Sequence, residues 1–202
     1  MMDLLHWDRT VFDWINSGWS NAVLDEILPW ISHLGDAAAV WLWIALLGLL
    51  MTWQTAGTIR ADCERKRQGT IVKAIALSCL YLALIYGVNA GTYNGLKHLF
   101  YRPRPYLEKA VTLRVSPATA SHLRRDSSFP SGHAANAFMV AAIFAERFRR
   151  KRYGLYGLAA MVALSRIYLG VHYPTDVLAG SCSGLAITWF MLSLRPLGQH
   201  EP

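Results

Sequence analysis

Residues 127–145 read SSFPSGHAANAFMVAAIFA. A proline, a glycine and a histidine stand directly before a run of apolar and small side chains, so an ionisable ring sits at the mouth of a segment suited to lipid. Comparable runs occur at 37–55 (AAAVWLWIALLGLLMTWQT), 74–96 (AIALSCLYLALIYGVNAGTYNGL), 154–170 (GLYGLAAMVALSRIYLG) and 177–194 (VLAGSCSGLAITWFMLSL). A helix crossing the hydrocarbon core needs about 17–25 mostly apolar residues. With the run from His133 to Ala145, these segments predict an all-α integral membrane protein with about five transmembrane helices, at most six, in a bundle. The third and fourth are short or interrupted by charge. Gly180 and Gly184 have the small-xxx-small spacing that lets two helices approach closely.

The composition points the same way. Of 202 residues, 53% are hydrophobic and eight are tryptophan, an unusual pairing in a water-soluble domain of this size. The formal charge of +7 matches a membrane protein with basic loops. No nucleic-acid-binding motif accompanies it, so no nucleic acid is expected as a partner. Cys63, Cys79 and Cys182 lack metal-ligand spacing and read as packing residues. Asp3, Asp8 and Asp13 stand where a secretory signal would be basic and then apolar, so no cleavable signal is expected. Residues 1–35 carry Trp7, Phe12, Trp14, Trp19, Leu24, Leu28 and Trp30 among acidic and small residues, the pattern of amphipathic helices lying at an interface. The whole chain, 1–202, is read as one membrane-embedded domain.

Lys and Arg are retained on the cytoplasmic side of short loops. Arg60, Arg65, Lys66 and Arg67 follow the first span, and Arg147, Arg149, Arg150, Lys151 and Arg152 follow the third. Both loops are therefore expected in the cytoplasm. Alternation then puts the N-terminus and the loop 98–130 outside, although that loop holds Arg102, Arg104, Lys109, Arg114, Arg124 and Arg125. An anion held by these cations would account for the exception. Parity also brings Lys97, His133, Arg166, His172 and Asp176, from four separate segments, to the same outer face. Ionisable residues at membrane depth are costly and mark function by default.

Three stretches in this group, KHLFYRPRP (97–105), PSGH (130–133) and SRIYLGVHYPTD (165–176), resemble the three signature motifs of the type 2 phosphatidic acid phosphatase superfamily. That superfamily also contains bacterial acid phosphatases and vanadium haloperoxidases. The resemblance covers residues 74–185 and leaves out the N-terminal third. It implies that His172 is the nucleophile, forming a phosphohistidine, and that His133 is the general acid. Asp176 would hold the far nitrogen of His172. The residue chemistry agrees: Lys97, Arg104 and Arg166 can surround the non-bridging oxygens of a phosphate, the guanidinium groups as planar forks and the lysine as a compact charge. Ser131 and Gly132 lie at a helix start, where amides and the helix dipole favour an anion. Hydrolysis of a phosphate ester consists largely of holding charge, aligning a nucleophile and protonating the leaving oxygen.

No carboxylate cluster or His/Cys set has metal-ligand spacing, so neither metal nor other cofactor is expected. His98, Tyr101 and Arg102 flank the first motif as further substrate contacts or interfacial residues, and RFRRKR (147–152) reads as a topology determinant that also meets anionic headgroups. The expected function is a lipid phosphatase of the inner membrane with its site facing the periplasm or exterior. Its partners would be the bilayer and a lipid phosphate. Undecaprenyl diphosphate is the first choice of substrate, with phosphatidylglycerophosphate, phosphatidic acid and lipid A phosphates as rivals. A lipid phosphotransferase would use the same motifs, and a non-enzymatic headgroup-binding scaffold or transporter is the alternative from another class. Such a binder has no need of two histidines and an orienting aspartate.

Overall fold

A computed structural model of the chain describes residues 2–56 and 64–194, and among these every regular element is helical. In order they are α1 (Met2–Asn16), α2 (Ala22–His33), α3 (Ala37–Ala56), α4 (Glu64–Leu99), α5 (Pro105–Glu108), α6 (Pro117–Leu123), α7 (Gly132–Arg147), α8 (Arg152–Tyr168) and α9 (Pro174–Ser193). Arg60 and Cys63 lie outside the described residues. Arg65, Lys66 and Arg67, expected in a loop, fall in the first turns of α4, because Glu, Lys, Arg and Gln are good helix formers and extend the helix ahead of its apolar part.

The bundle is built around α7. Its alanines 134, 135, 137, 141, 142 and 145 are all buried, so α8 and α9 can pack closely on either side. The approach of α9 is closest. A Cβ at Gly180 would lie 2.3 Å from the Ser131 carbonyl oxygen, and one at Gly184 would lie 2.2 Å from that of Ala135. The small-xxx-small pair thus seats one backbone on another. At the other flank, Gly170 takes a φ of 82°, a left-handed conformation open to glycine. It turns the chain out of α8 so that Val171 and His172 fold back toward the bundle.

The count of five spans is not reproduced. Among the described residues, Ile75–Leu99 of α4 and Pro174–Ser193 of α9 are long and apolar enough to cross a membrane. Ala22–His33 and Ala37–Leu50 qualify together as a pair bent by 64°. At 16 and 17 residues, α7 and α8 fall short. Both are central helices whose buried faces meet protein, so they do not need a full lipid-length apolar surface. Lipid-type side chains stand exposed instead on the outer helices, among them Leu42 and Leu49 on α3, Leu77 and Leu80 on α4, and Trp189 and Phe190 on α9.

The N-terminal third is amphipathic, with Trp7, Trp14 and Trp30 exposed, but it is also part of the core. Phe12, Ile15 and Leu28 join Ala134, Ala163, Ile167, Tyr168, Tyr173 and Val177 in one buried cluster. Polar contacts complete the join. Asn16 Nδ2 donates to the Thr112 and Tyr168 carbonyl oxygens at 2.9 and 2.8 Å. Asp8, 1% exposed, accepts from the Thr175 amide at 2.9 Å, the Thr175 hydroxyl at 2.7 Å and Arg102 Nη2 at 2.6 Å. Three cations expected to hold an external anion are thereby used inside the protein: Arg102 pairs with Asp8 and Asp176, Lys109 with Asp13, and Arg114 with Asp25. Sequence reading missed this because Asp8, Asp13 and Asp25 lie some ninety residues before their partners and Asp176 lies 74 after Arg102.

Because Gly184 faces backbone rather than a flexible side chain, Gly184→Ala is expected to destabilise the protein by about 2 kcal/mol. Thermal unfolding in detergent would show a midpoint lower by roughly 4–8 °C. Arg102→Gln leaves two buried carboxylates facing each other, at an expected cost of about 3 kcal/mol. Adding Asp8→Asn should recover part of that loss, which a double-mutant cycle of unfolding midpoints would measure.

Candidate active site

Four chain segments converge on a cavity of about 170 Å³ lined by, among others, Lys97, Arg104, Gly132, His133, Arg166 and His172. Each arrives by a local structural cause. Lys97 sits in the last turn of α4, where a cation complements the helix dipole. Arg104 is the residue before Pro105, which starts α5, and such a residue is held extended. His133 opens α7, Arg166 lies in the last turn of α8, and His172 lies on the turn that Gly170 begins.

The cations are held differently. Arg104, 1% exposed, is fixed by main-chain oxygens: Nε donates to Leu123 O at 3.0 Å and Nη1 to Val171 O at 3.0 Å. Its Nη1 also lies 3.3 Å from His172 Nε2. Arg166 donates from Nη1 to Ser32 Oγ at 2.6 Å, while its Nε has no partner. Lys97 and Arg104 both pair with Asp126, the latter at 3.1 Å. Asp126 therefore occupies, with a carboxylate, the position an incoming anion would take between these two cations.

His172 is 2% exposed. Burial, and after it the charges of Arg104, Arg166 and Lys97, push its pKa well below the ordinary imidazole value. An unprotonated ring carries a lone pair on one nitrogen, and the contact with Arg104 Nη1, which can only donate, puts that lone pair on Nε2. Its Nδ1 has no hydrogen-bond partner, and Asp176 Oδ2 lies 3.7 Å away. Asp176 itself is fully buried and accepts from the Tyr173 amide at 2.8 Å, from Arg102 Nη1 at 2.7 Å and from Ser128 Oγ. The expected His172–Asp176 pairing is thus close but not a formed hydrogen bond. Ser128 and Arg102 hold the carboxylate ready.

The Ser131 amide donates to Asp176 O at 2.9 Å, so the amides available at the start of α7 are those from Gly132 onward. The Ser131 hydroxyl is buried without a partner. Three of the four buried side-chain atoms without a partner among the described residues, Ser131 Oγ, Arg166 Nε and His172 Nδ1, belong to the residues that the sequence motifs single out. Of these, Arg166 and His172 line the cavity, while Ser131 is not among its lining residues.

Sequence reasoning missed Asp36 and left Asp126 between an entrance loop and a solvated surface. His133 Nε2 lies 2.7 Å from Asp36 Oδ1, and Asp126 faces the cavity. A Gly-Asp pair between two apolar runs was the available signal for Asp36. Of the flanking candidates, Arg102 belongs to the network behind Asp176, and Tyr101 is exposed and does not line the cavity.

Comparison with known proteins agrees with this architecture. A lipid A 1-phosphatase of Rhizobium etli is 28% identical over 173 residues, covering 85% of this chain and 70% of the relative. Phosphatidylglycerophosphatase B of Bacillus subtilis is 33% identical over 140 residues, 58% of this chain and 69% of the relative. Decaprenylphosphoryl-5-phosphoribose phosphatase of Mycobacterium tuberculosis is 31% identical over 160 residues, 78% and 72% of the two chains. Among solved structures, Aquifex aeolicus LpxE superposes with a TM-score of 0.69 at 23% identity, covering 92% of this chain and 94% of that one. The phosphatidylglycerolphosphate phosphatase of B. subtilis gives 0.67 at 24%, covering 96% and 86%. These coverages take the likeness of fold through the N-terminal third, which the sequence motifs left out. The PAP2 superfamily pattern matches residues 76–198, and the chain belongs to that superfamily, whose phosphatases mark it as a phosphate ester hydrolase.

Proposed function

We propose that this PAP2-type lipid phosphatase hydrolyses the terminal phosphate of undecaprenyl diphosphate, with its site on the outer side of the inner membrane. The observation that carries the phosphatase reading is the single cavity where three cations, a helix start and two histidines meet. In this reading the phosphate displaces Asp126 and takes its place between Lys97 and Arg104, with Arg166 and the amides from Gly132 onward completing the cradle. His172 Nε2 attacks the terminal phosphorus as its bond to the oxygen bridging the two phosphates breaks, and His133 gives that oxygen, which leaves with the lipid monophosphate, its proton. The Nδ1–H of His172 turns to Asp176, which stabilises the charged ring. Water then attacks the phosphohistidine, His133 takes the proton back, and inorganic phosphate leaves.

Two features favour a diphosphate at the outer side. Leu123 and Asp126 line the cavity, and the two residues between them, Arg124 and Arg125, are exposed cations that this reading assigns to a second phosphate. The basic residues 147–152 follow the far end of α7, roughly 22 Å from His133 at 1.5 Å per residue. If those cations are cytoplasmic, the site faces outward. A second reading, lipid A 1-phosphate, is favoured by the lipid A 1-phosphatases of Rhizobium, which align over 85% and 80% of this chain.

The test is inorganic phosphate release by the purified protein in detergent, with a chelator, from undecaprenyl diphosphate, lipid A, phosphatidylglycerophosphate and phosphatidic acid. Undecaprenyl diphosphate is expected to give the highest kcat/KM, and His172→Ala to abolish release. Lys97→Ala should lower kcat/KM about 10²–10³-fold, as loss of a charge-stabilising donor does. A preference for lipid A would select the second reading, and release undiminished in His172→Ala would remove the nucleophile assignment.

A further inference from the structure

We infer that Asp36, at the corner between α2 and α3, is a positioning residue for the general acid His133, an inference that rests on the phosphatase reading above. The corner is built to hold a carboxylate against that ring. Asp36 Oδ1 lies 2.7 Å from His133 Nε2, and its second oxygen lies 2.7 Å from His33 Nδ1 on the solvent side. Both carboxylate oxygens are thereby fixed, one to each histidine.

The approach of the corner depends on Gly35, Asn136 and Trp43. A Cβ at Gly35 would lie 2.9 Å from the His133 carbonyl oxygen and 2.9 Å from Val162 Cγ1, so only glycine lets the α2–α3 corner touch the start of α7. Asn136, one turn into α7, donates from Nδ2 to the Gly35 carbonyl oxygen at 3.1 Å. Trp43 Nε1 donates to the Leu34 carbonyl oxygen at 3.3 Å. Two side chains from different helices therefore clamp the main chain on the residues just before Asp36.

The chemistry follows from which nitrogen is taken. With Nε2 bound to Asp36, Nδ1 is the nitrogen left to face a substrate oxygen. Asp36 therefore selects the ring orientation and, as the one carboxylate among the described residues in contact with that ring, favours its protonated form against the cations Lys97, Arg104 and Arg166 and the ring of His172 across the cavity. In the first step the Nδ1 proton passes to the leaving oxygen as the P–O bond breaks and the bond from His172 Nε2 to phosphorus forms. In the second step Nδ1 takes a proton from the attacking water.

An acid matters in proportion to how badly the leaving group needs its proton. The test compares kcat/KM, which reports the step that forms the phosphohistidine, on dodecyl phosphate and on 4-nitrophenyl phosphate. For Asp36→Asn in the purified full-length protein the loss is expected to be roughly 10–100-fold on the alkyl ester, within the range of a general-acid contribution. On the nitrophenyl ester, whose leaving group departs without a proton, it should be under about threefold. Gly35→Ala keeps the carboxylate but forces the corner off His133, and should show the same selective loss. Equal losses on both esters would reduce Asp36 to a structural role and overturn the inference.

A second readout does not need turnover. In the NMR titration of histidine rings, with His133 assigned from a His133→Gln spectrum, the ring should take up its proton at lower pH in Asp36→Asn than in the parent. An unchanged titration overturns the inference. If the parent hydrolyses neither ester nor any lipid phosphate, the phosphatase reading fails and the ring titration alone decides the contact.

Discussion

The contact of α9 with α7 through Gly180 and Gly184 governs the geometry of the active site. It places the backbone of one helix against the carbonyl oxygens of Ser131 and Ala135. His172 and Asp176 enter with α9, while Ser131, Gly132 and His133 enter with α7, so the two motifs meet only because neither glycine carries a side chain. The hydrogen bond from the Ser131 amide to Asp176 O fixes the remaining freedom along the axis. A cavity that must hold charged groups within hydrogen-bond reach needs such an incompressible frame, because cation repulsion would open a softer one.

The second organising constraint is how charge is distributed through that frame. Cations outnumber acids over the whole chain, yet most cations near the site are matched. Arg102, Lys109 and Arg114 each find a carboxylate on α1 or between α1 and α3, which turns the N-terminal helices into a counterweight for the loop 98–130. Arg166 is different: it is buried and, among the described residues, donates to the Ser32 hydroxyl and leaves Nε without a partner. Pairing the supporting cations with carboxylates limits the repulsion among the positive charges gathered around the cavity.

The three motifs were legible in the sequence because their chemistry is carried by closely spaced residues: seven positions from Lys97 to Arg104, an unbroken PSGH, and four from His172 to Asp176. The apolar segments were legible as helices for the same local reason: all five form helices, four within a few residues of the expected bounds, while α4 begins ten residues before the expected Ala74. The number that cross the membrane was not, because a short central helix such as α7 is judged by what surrounds it, and that is tertiary. The partners of the site residues were hidden for a related reason. Asp36 lies 97 positions before His133 and Asp8 lies 94 before Arg102, and no period or spacing rule links residues so far apart. The N-terminal tryptophans suggested an interface, and the chain uses the same helices, through Phe12 and Ile15, to close the core beneath the site.

Asp126 adds a threshold to recognition. Any anion entering between Lys97 and Arg104 must replace a carboxylate already paired with both, so it gains only by the difference between its charge and that of Asp126. A phosphodiester headgroup or a fatty acid brings one negative charge and gains little. A terminal phosphate, with about 1.5 to 2 charges near neutral pH, gains substantially more. In a bilayer where phosphodiesters vastly outnumber lipids that end in phosphate, the proposed phosphatase reading gives the resident carboxylate a use: it would keep bulk lipid out of the cavity and leave it to the rare lipid with a terminal phosphate.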